Sequence, residues 1–173
     1  MKLVSFVIGI SYSTAYIYDC TQEGEYHLLD DIDTYCGQGF KWQPGCLTLF
    51  AIHGSGYWNF EVFLEERVQP STNAARTIQM PYVVSDDRGL TVEEGGGGNT
   101  YMDIIKIPVG YYSLIVEQGF NGQSQTDEEK DELGIWCRLW FTQADNVEPK
   151  ILVQDAELNP HYPLKLDGLN TDK

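Results

Sequence analysis

Short runs of β-branched and aromatic residues, each cut off by Gly, Pro or a polar cluster, recur along almost the whole chain. They constrain the fold more than any other feature. Cys46–Ile52, Tyr57–Glu65, Ala75–Val84, Leu90–Glu93, Tyr111–Glu117, Ile135–Phe141 and Lys150–Val153 all read as strands. In the second run Phe60, Val62 and Leu64 share one face; in the third, Ile78, Met80 and Tyr82 do. Pro81 suits an edge or a bulge. Helical periodicity is nearly absent, so the pattern predicts an all-β chain, an antiparallel β-sandwich in a single domain. The expected division is a sandwich over residues 1–158 and a C-terminal tail over 159–173, where structural signals are few. A chain of 173 residues can bury a sufficient core without disulfides or metal.

Less regular stretches lie between the strands. Lys2 and the apolar run Leu3–Ile8 resemble a short signal peptide, but strand-type residues continue through Ser11–Tyr18. A first strand is therefore the expectation. No stretch is long enough to span a membrane as a helix. Tyr26–Asp33 admits a short helix or an irregular arm, and Gly37, Gly39, Pro44 and Gly45 punctuate a turn. Gly95–Asn99 reads as a flexible tip. Tyr101–Ile107 is a strand-like lead into the break at Pro108–Gly110. Thr126–Leu133 opens with a capping-box pattern, yet reads more readily as a mobile insertion than as a helix.

Charge narrows the function. With 26 acidic and 11 basic residues the formal charge is −15. Such a surface repels nucleic acid and anionic headgroups and attracts basic proteins. Direct nucleic-acid binding needs cations to displace phosphate counterions, so it is not expected. Solubility alone is the competing explanation of the charge.

Chemistry-bearing motifs do not appear. Cys20, Cys36, Cys46 and Cys137 form no CxxC pair, and the three histidines, His27, His53 and His161, are scattered. Cys46 and Cys137 sit in apolar runs and are expected as buried thiols, which suits a reducing, cytoplasmic setting. The Gly95–Gly98 run lacks the lysine of a phosphate-binding loop, Asp30–Asp33 lacks the rest of a calcium loop, and no GxSxG elbow occurs. The expectation is a binding protein, not an enzyme, with no cofactor, catalytic residue or metal site.

Two acidic stretches are the candidate partner-binding sites. Between residues 3 and 40 there is no Lys or Arg, and Asp30, Asp31 and Asp33 cluster there. Glu93 and Glu94 form the second candidate, and Asp127–Glu132 a third that would incur an ordering cost on binding. A different class of function is a carbohydrate-type ligand module stacking on Trp42, Tyr57, Trp58, Trp136 and Trp140. Core packing is the favoured role for those rings, and their exposure decides between the two.

Four stretches taken in order resemble the competence protein J family. They are Ile10-Ser11-Tyr12 running to Tyr18-Asp19; Gly39-Phe40 with Trp42 and Pro44-Gly45; Ala75 to Val84; and Ile105 to Leu114 with its Pro-x-Gly-x-Tyr turn. The resemblance covers most of residues 10–120 and rests on strand and turn residues. It implies a protein like the family's founding type, an inhibitor of a DNA-uptake nuclease in a naturally competent bacterium, or an immunity protein. The partner it implies is a nuclease, which is the kind of basic protein that the charge favours.

Overall fold

The computed structural model describes residues 1–19, 32–54, 56–65, 69–96, 100–101, 103–122 and 134–167. In chain order these form β1 (Lys2–Ile10), β2 (Thr14–Asp19), α1 (Ile32–Gln38), β3 (Phe40–Gln43), β4 (Cys46–Phe50), β5 (Gly56–Leu64), β6 (Arg76–Val84), β7 (Leu90–Glu94), β8 (Gly110–Phe120), β9 (Ile135–Gln143) and β10 (Lys150–Val153). Among the described residues the chain is all-β apart from α1. The larger sheet has the order β1-β5-β9-β8-β6-β10, the smaller β3-β4-β2-β7.

Alternation along the strands builds the core between the sheets. Trp58, Phe60, Met80, Leu114 and Leu139 come from the larger sheet; Ile17, Phe40, Trp42, Leu47 and Val92 come from the smaller. The faces expected for Phe60 and Val62 and for Ile78, Met80 and Tyr82 are the buried ones. One pairing departs from the antiparallel expectation. β5 runs parallel to β9, from Trp58↔Ile135 to Leu64↔Phe141, while every other strand pair among the described residues is antiparallel. Strand direction leaves no trace in the alternation of one strand, because a parallel and an antiparallel neighbour bury the same face.

The N-terminal run holds two strands, not one. Ser13 has φ 57°, a left-handed conformation that turns the chain out of β1 in the larger sheet and into β2 in the smaller. Its carbonyl accepts the Ala51 N–H at 2.8 Å, which fixes the turn. The expected turn around Gly37 and Gly39 is also different. Gly37 lies in α1, and Gly39 ends that helix with φ 84°, its N–H donating to the Tyr35 carbonyl at 2.9 Å. The described residues of the Tyr101–Ile107 lead form no strand; Ile105 makes an isolated bridge to Leu90 of β7, and Thr100, just before the lead, makes one to Glu93. Residues 97–99 of the tip and Thr126–Leu133 lie outside the described residues.

Beyond β10 the chain stays docked as far as Asp167. Leu158 and Leu164 are buried, and the N–H of Lys165 donates to Gln38 Oε1 at 2.9 Å. The Asp167 N–H donates to the Trp42 carbonyl at 2.9 Å, and its carboxylate accepts the Tyr35 hydroxyl at 2.7 Å. A few isolated leucines and backbone bonds to α1 and β3 hold this segment, without any strand pattern.

The outer face of the larger sheet carries a covered polar cluster. Glu117 is fully buried there and accepts the Ser71 N–H, the Ser71 hydroxyl at 3.0 Å and the Trp140 indole N–H at 2.9 Å. Arg138 Nη1 reaches the same Ser71 hydroxyl at 3.3 Å. These bonds lay the segment before β6 across the sheet.

Candidate functional site

The structure separates the acidic residues singled out in the sequence. Asp33 is exposed in the first turn of α1, which packs on β3 at one edge of the smaller sheet. Asp30 and Asp31 lie outside the described residues. Glu93 and Glu94 are on β7 at the opposite edge of that sheet. Being adjacent on a strand, they point to opposite faces. Glu93 is half-buried on the outer face and accepts the Tyr18 hydroxyl at 2.8 Å. Glu94 faces inward, is 3% exposed and accepts the Ser11 N–H at 3.0 Å. The signal for that burial was present in the alternation Leu90, Val92, Glu94.

Neutralisation inside the fold shapes the electrostatics more than any one acidic stretch. Every Lys and Arg among the described residues is engaged by the protein itself. Lys2 and Arg138 both bind Glu61, the latter at 2.7 Å, and these two cations hold the Glu61 carboxyl below the usual range, Lys2 most strongly. The Arg138 guanidinium also lies 4.8 Å over the Trp136 ring. Arg76 is 3% exposed; it binds Asp155 and donates from Nη1 to the Phe50 carbonyl at 2.9 Å. Arg88 pairs with Asp86 at 2.6 Å, Lys150 with Glu148 at 3.0 Å, and Lys41 with Asp167 at 3.9 Å. Lys106 donates to the Arg88 carbonyl at 2.8 Å, and Lys165 stands 4.7 Å from the centre of the Tyr35 ring.

Exposed acids are left over. Asp33, Asp103, Asp145 and Glu157 are exposed and take part in no ion pair among the described residues. With a formal charge of −15 overall, the outward field is negative, and the described cations are engaged within the fold even where, as at Arg88 and Lys150, they are exposed.

The aromatic rings do not form a ligand platform. Trp42 and Trp58 are in the core, Trp136 is buried, and Trp140 is half-buried, stacked on Phe63 at 3.8 Å. The Trp42 indole N–H donates to the Pro81 carbonyl at 2.6 Å. Of the five rings only Tyr57 is exposed, at 65%. Core packing is therefore the role of Trp42 and Trp58, and the lone exposed Tyr57 makes no row of rings. Among the described residues no group of three or more His, Cys, Asp and Glu could hold a metal ion. No helix among them is long and apolar enough to cross a membrane.

Comparison with known proteins adds four findings. The family model for competence protein J (ComJ) matches residues 8–142. The crystal structure of ComJ, inhibitor of the DNA degrading activity of NucA, from Bacillus subtilis, superposes with a TM-score of 0.61 at 13% identity, covering 83% of this chain and 98% of that one. At that identity the likeness shows the fold. A structure described as crocagin biosynthetic gene J aligns at 12% identity over 79% of this chain and 97% of its own, with a TM-score of 0.43, too low to carry an argument. No curated protein sequence matches.

Proposed function

The chain belongs to the competence protein J family, and from that premise we propose that it binds a nuclease and inhibits it. The family match over residues 8–142 carries this reading. The finer part of the proposal is how inhibition works. A nuclease holds DNA in a groove lined by cations, because phosphates must be neutralised to bind. An acidic protein occupies that groove in place of the DNA. This chain is suited to it because its own described cations are consumed internally, as the Glu61, Asp155, Asp86 and Glu148 pairs illustrate. Long-range attraction then speeds encounter, while close packing sets residence time. A cytoplasmic location fits the free thiols of Cys36, Cys46 and Cys137 and forms part of the proposal.

The test is a titration of the purified chain against NucA of Bacillus subtilis and against any nuclease encoded beside its own gene. DNA degradation is followed at several salt concentrations. Inhibition that weakens as salt rises is the expected result. A chain that leaves both nucleases fully active at low salt removes the reading. Inhibition with no salt dependence removes only the electrostatic mechanism.

A further inference from the structure

One end of the sandwich combines exposed apolar groups, a cleft and surplus negative charge. Here β5 and β9 finish and β8 begins. A cleft of about 310 Å³ opens there, lined by Leu64, Glu65, Pro108, Tyr112, Thr142 and Gln143. Val109 and Tyr111, next to the cleft wall in sequence, are 55% and 66% exposed, and Ile104 just before them is 46% exposed. Large apolar groups so exposed within one short segment mark a contact surface more often than scattered ones do.

The backbone that carries these groups is anchored. Tyr112 is 1% exposed and meets the Phe141 ring edge-on at 5.8 Å. Its hydroxyl donates to the Pro108 carbonyl at 2.7 Å, which closes the Pro108–Gly110 turn. Tyr111 pairs with Val83 in β6, and its carbonyl accepts the Ala144 N–H at 3.1 Å. An aromatic side chain on a fixed backbone binds with little ordering cost, since only its own rotamer is lost.

The charge at this end selects the partner's chemistry. Asp145 directly follows Ala144, and Asp103 precedes Ile104; both are exposed. The nearby cations are already used, Arg88 by Asp86, Lys150 by Glu148, and Lys106 by backbone carbonyls. In the cleft wall Glu65 holds the Met1 ammonium on Oε1 at 2.7 Å, and its second oxygen has no partner among the described residues. That carboxylate is placed to take a cation.

We propose that this end is the surface that grips the nuclease, with Tyr111 and Val109 as apolar anchors and the cleft receiving a Lys or Arg side chain from a basic loop of the partner against Glu65. The inference rests on the nuclease-binding reading above. It differs from the acidic stretches at Asp33 and Glu93 in naming a packed contact, not only a field. Hot spots of protein interfaces combine such an aromatic anchor with a desolvated charge pair, ringed by groups that exclude water.

The experiment compares Tyr111→Ala, Val109→Ser and Glu65→Gln with wild type against whichever of the two nucleases the wild type inhibits. Tyr162→Ala is the control, because Tyr162 is equally exposed, at 66%, on the C-terminal segment. Thermal melting checks that each variant is folded. Tyr111→Ala is expected to raise the inhibition constant at least about thirtyfold, the lower bound for an interface hot spot. Glu65→Gln is expected to raise it and to flatten its salt dependence, and Tyr162→Ala to leave it within twofold, about the scatter of a surface change. In hydrogen exchange the amides of residues 108–112 are expected to gain protection in the complex. Wild-type inhibition with all three variants within twofold, or without that protection, overturns this surface and leaves the nuclease reading standing. Failure of wild type to inhibit either nuclease overturns the reading itself.

Discussion

The indole N–H of Trp140 donates to Glu117 Oε2 across 2.9 Å, on the outer face of the larger sheet, and Glu117 is 0% exposed. A carboxylate so placed is held by donors alone, two from Ser71 and one from Trp140. Replacing it with Leu leaves the Ser71 amide and the Trp140 indole buried without an acceptor. Glu117→Leu is expected to lower unfolding stability by about 2–4 kcal/mol, and Glu117→Gln, which keeps one acceptor oxygen, by about 1–2 kcal/mol. Urea denaturation of the two variants measures the difference. Equal losses would mean that packing, not the acceptor oxygens, fixes the Ser71 segment.

Charge reversal separates the two kinds of acidic residue. Glu94 is inward-facing and holds the Ser11 amide, so Glu94→Lys buries an unpaired cation and removes an acceptor. It is expected to cost about 3–5 kcal/mol and to abolish binding through loss of fold. Asp33→Lys alters an exposed group and is expected to change melting little, within about 0.5 kcal/mol, while reducing the salt dependence of association. Melting curves and association rates of the two variants side by side check this.

Acid should weaken the fold partly through Glu61. Lys2 and Arg138 hold its carboxyl below the usual range, so the folded state favours the ionised form. The unfolded chain takes up the proton near its ordinary value, about 4.3. Glu61 therefore contributes its full stabilisation above that value, and the contribution is lost as pH falls through the lowered folded value. Glu61→Gln is expected to unfold at lower urea than wild type at pH 7. The gap should narrow steadily towards pH 3. A gap that is constant with pH would assign the effect to shape and not to charge.

Thiol reactivity should follow burial. Burial, with Asp19 adding to it, pushes the Cys46 thiol up to about 11, and burial with Glu117 nearby pushes Cys137 higher still. Cys36 is exposed, though burial of its sulfur and the Asp33 charge raise it somewhat. With iodoacetamide at pH 8, peptide mapping should find Cys36 slowly modified in the native protein. Cys46 and Cys137 should react only in denaturant. Reductant should leave the melting temperature unchanged.

Legibility in the sequence followed the physics of each element. β5, β6 and β7 could be read because alternation writes their inner face into the sequence, as with Phe60 and Val62 or Met80 and Tyr82, and β4 and β8 because short apolar runs bounded by turn residues mark strands buried on both faces. The family resemblance rested on the same strand and turn residues. The break at Ser13 was hidden because a serine in a left-handed turn looks like any polar strand residue. α1 was hidden because seven residues are two turns, too short for a periodic face. Docking of Leu158 and Leu164 depends on the space beside α1 and β3, which exists only once the sheets are assembled. At the candidate surface, acidity was plain in the composition. The cleft between Glu65 and Pro108 was not, since its walls are far apart in the chain and meet through strand pairing.

The parallel pairing of β5 with β9 has a kinetic meaning. β5 sits between β1 and β9, and its second neighbour is made of residues late in the chain. During synthesis β1 and β5 can form a ribbon early, but one flank of β5 must wait until β9 has emerged. Until then that edge of β5 presents unpaired backbone N–H and C=O groups, and a long chain segment must be closed before they are satisfied. Folding is therefore expected to be slow for the size of the chain, and the nascent protein to be most vulnerable to aggregation in the interval before β9 arrives.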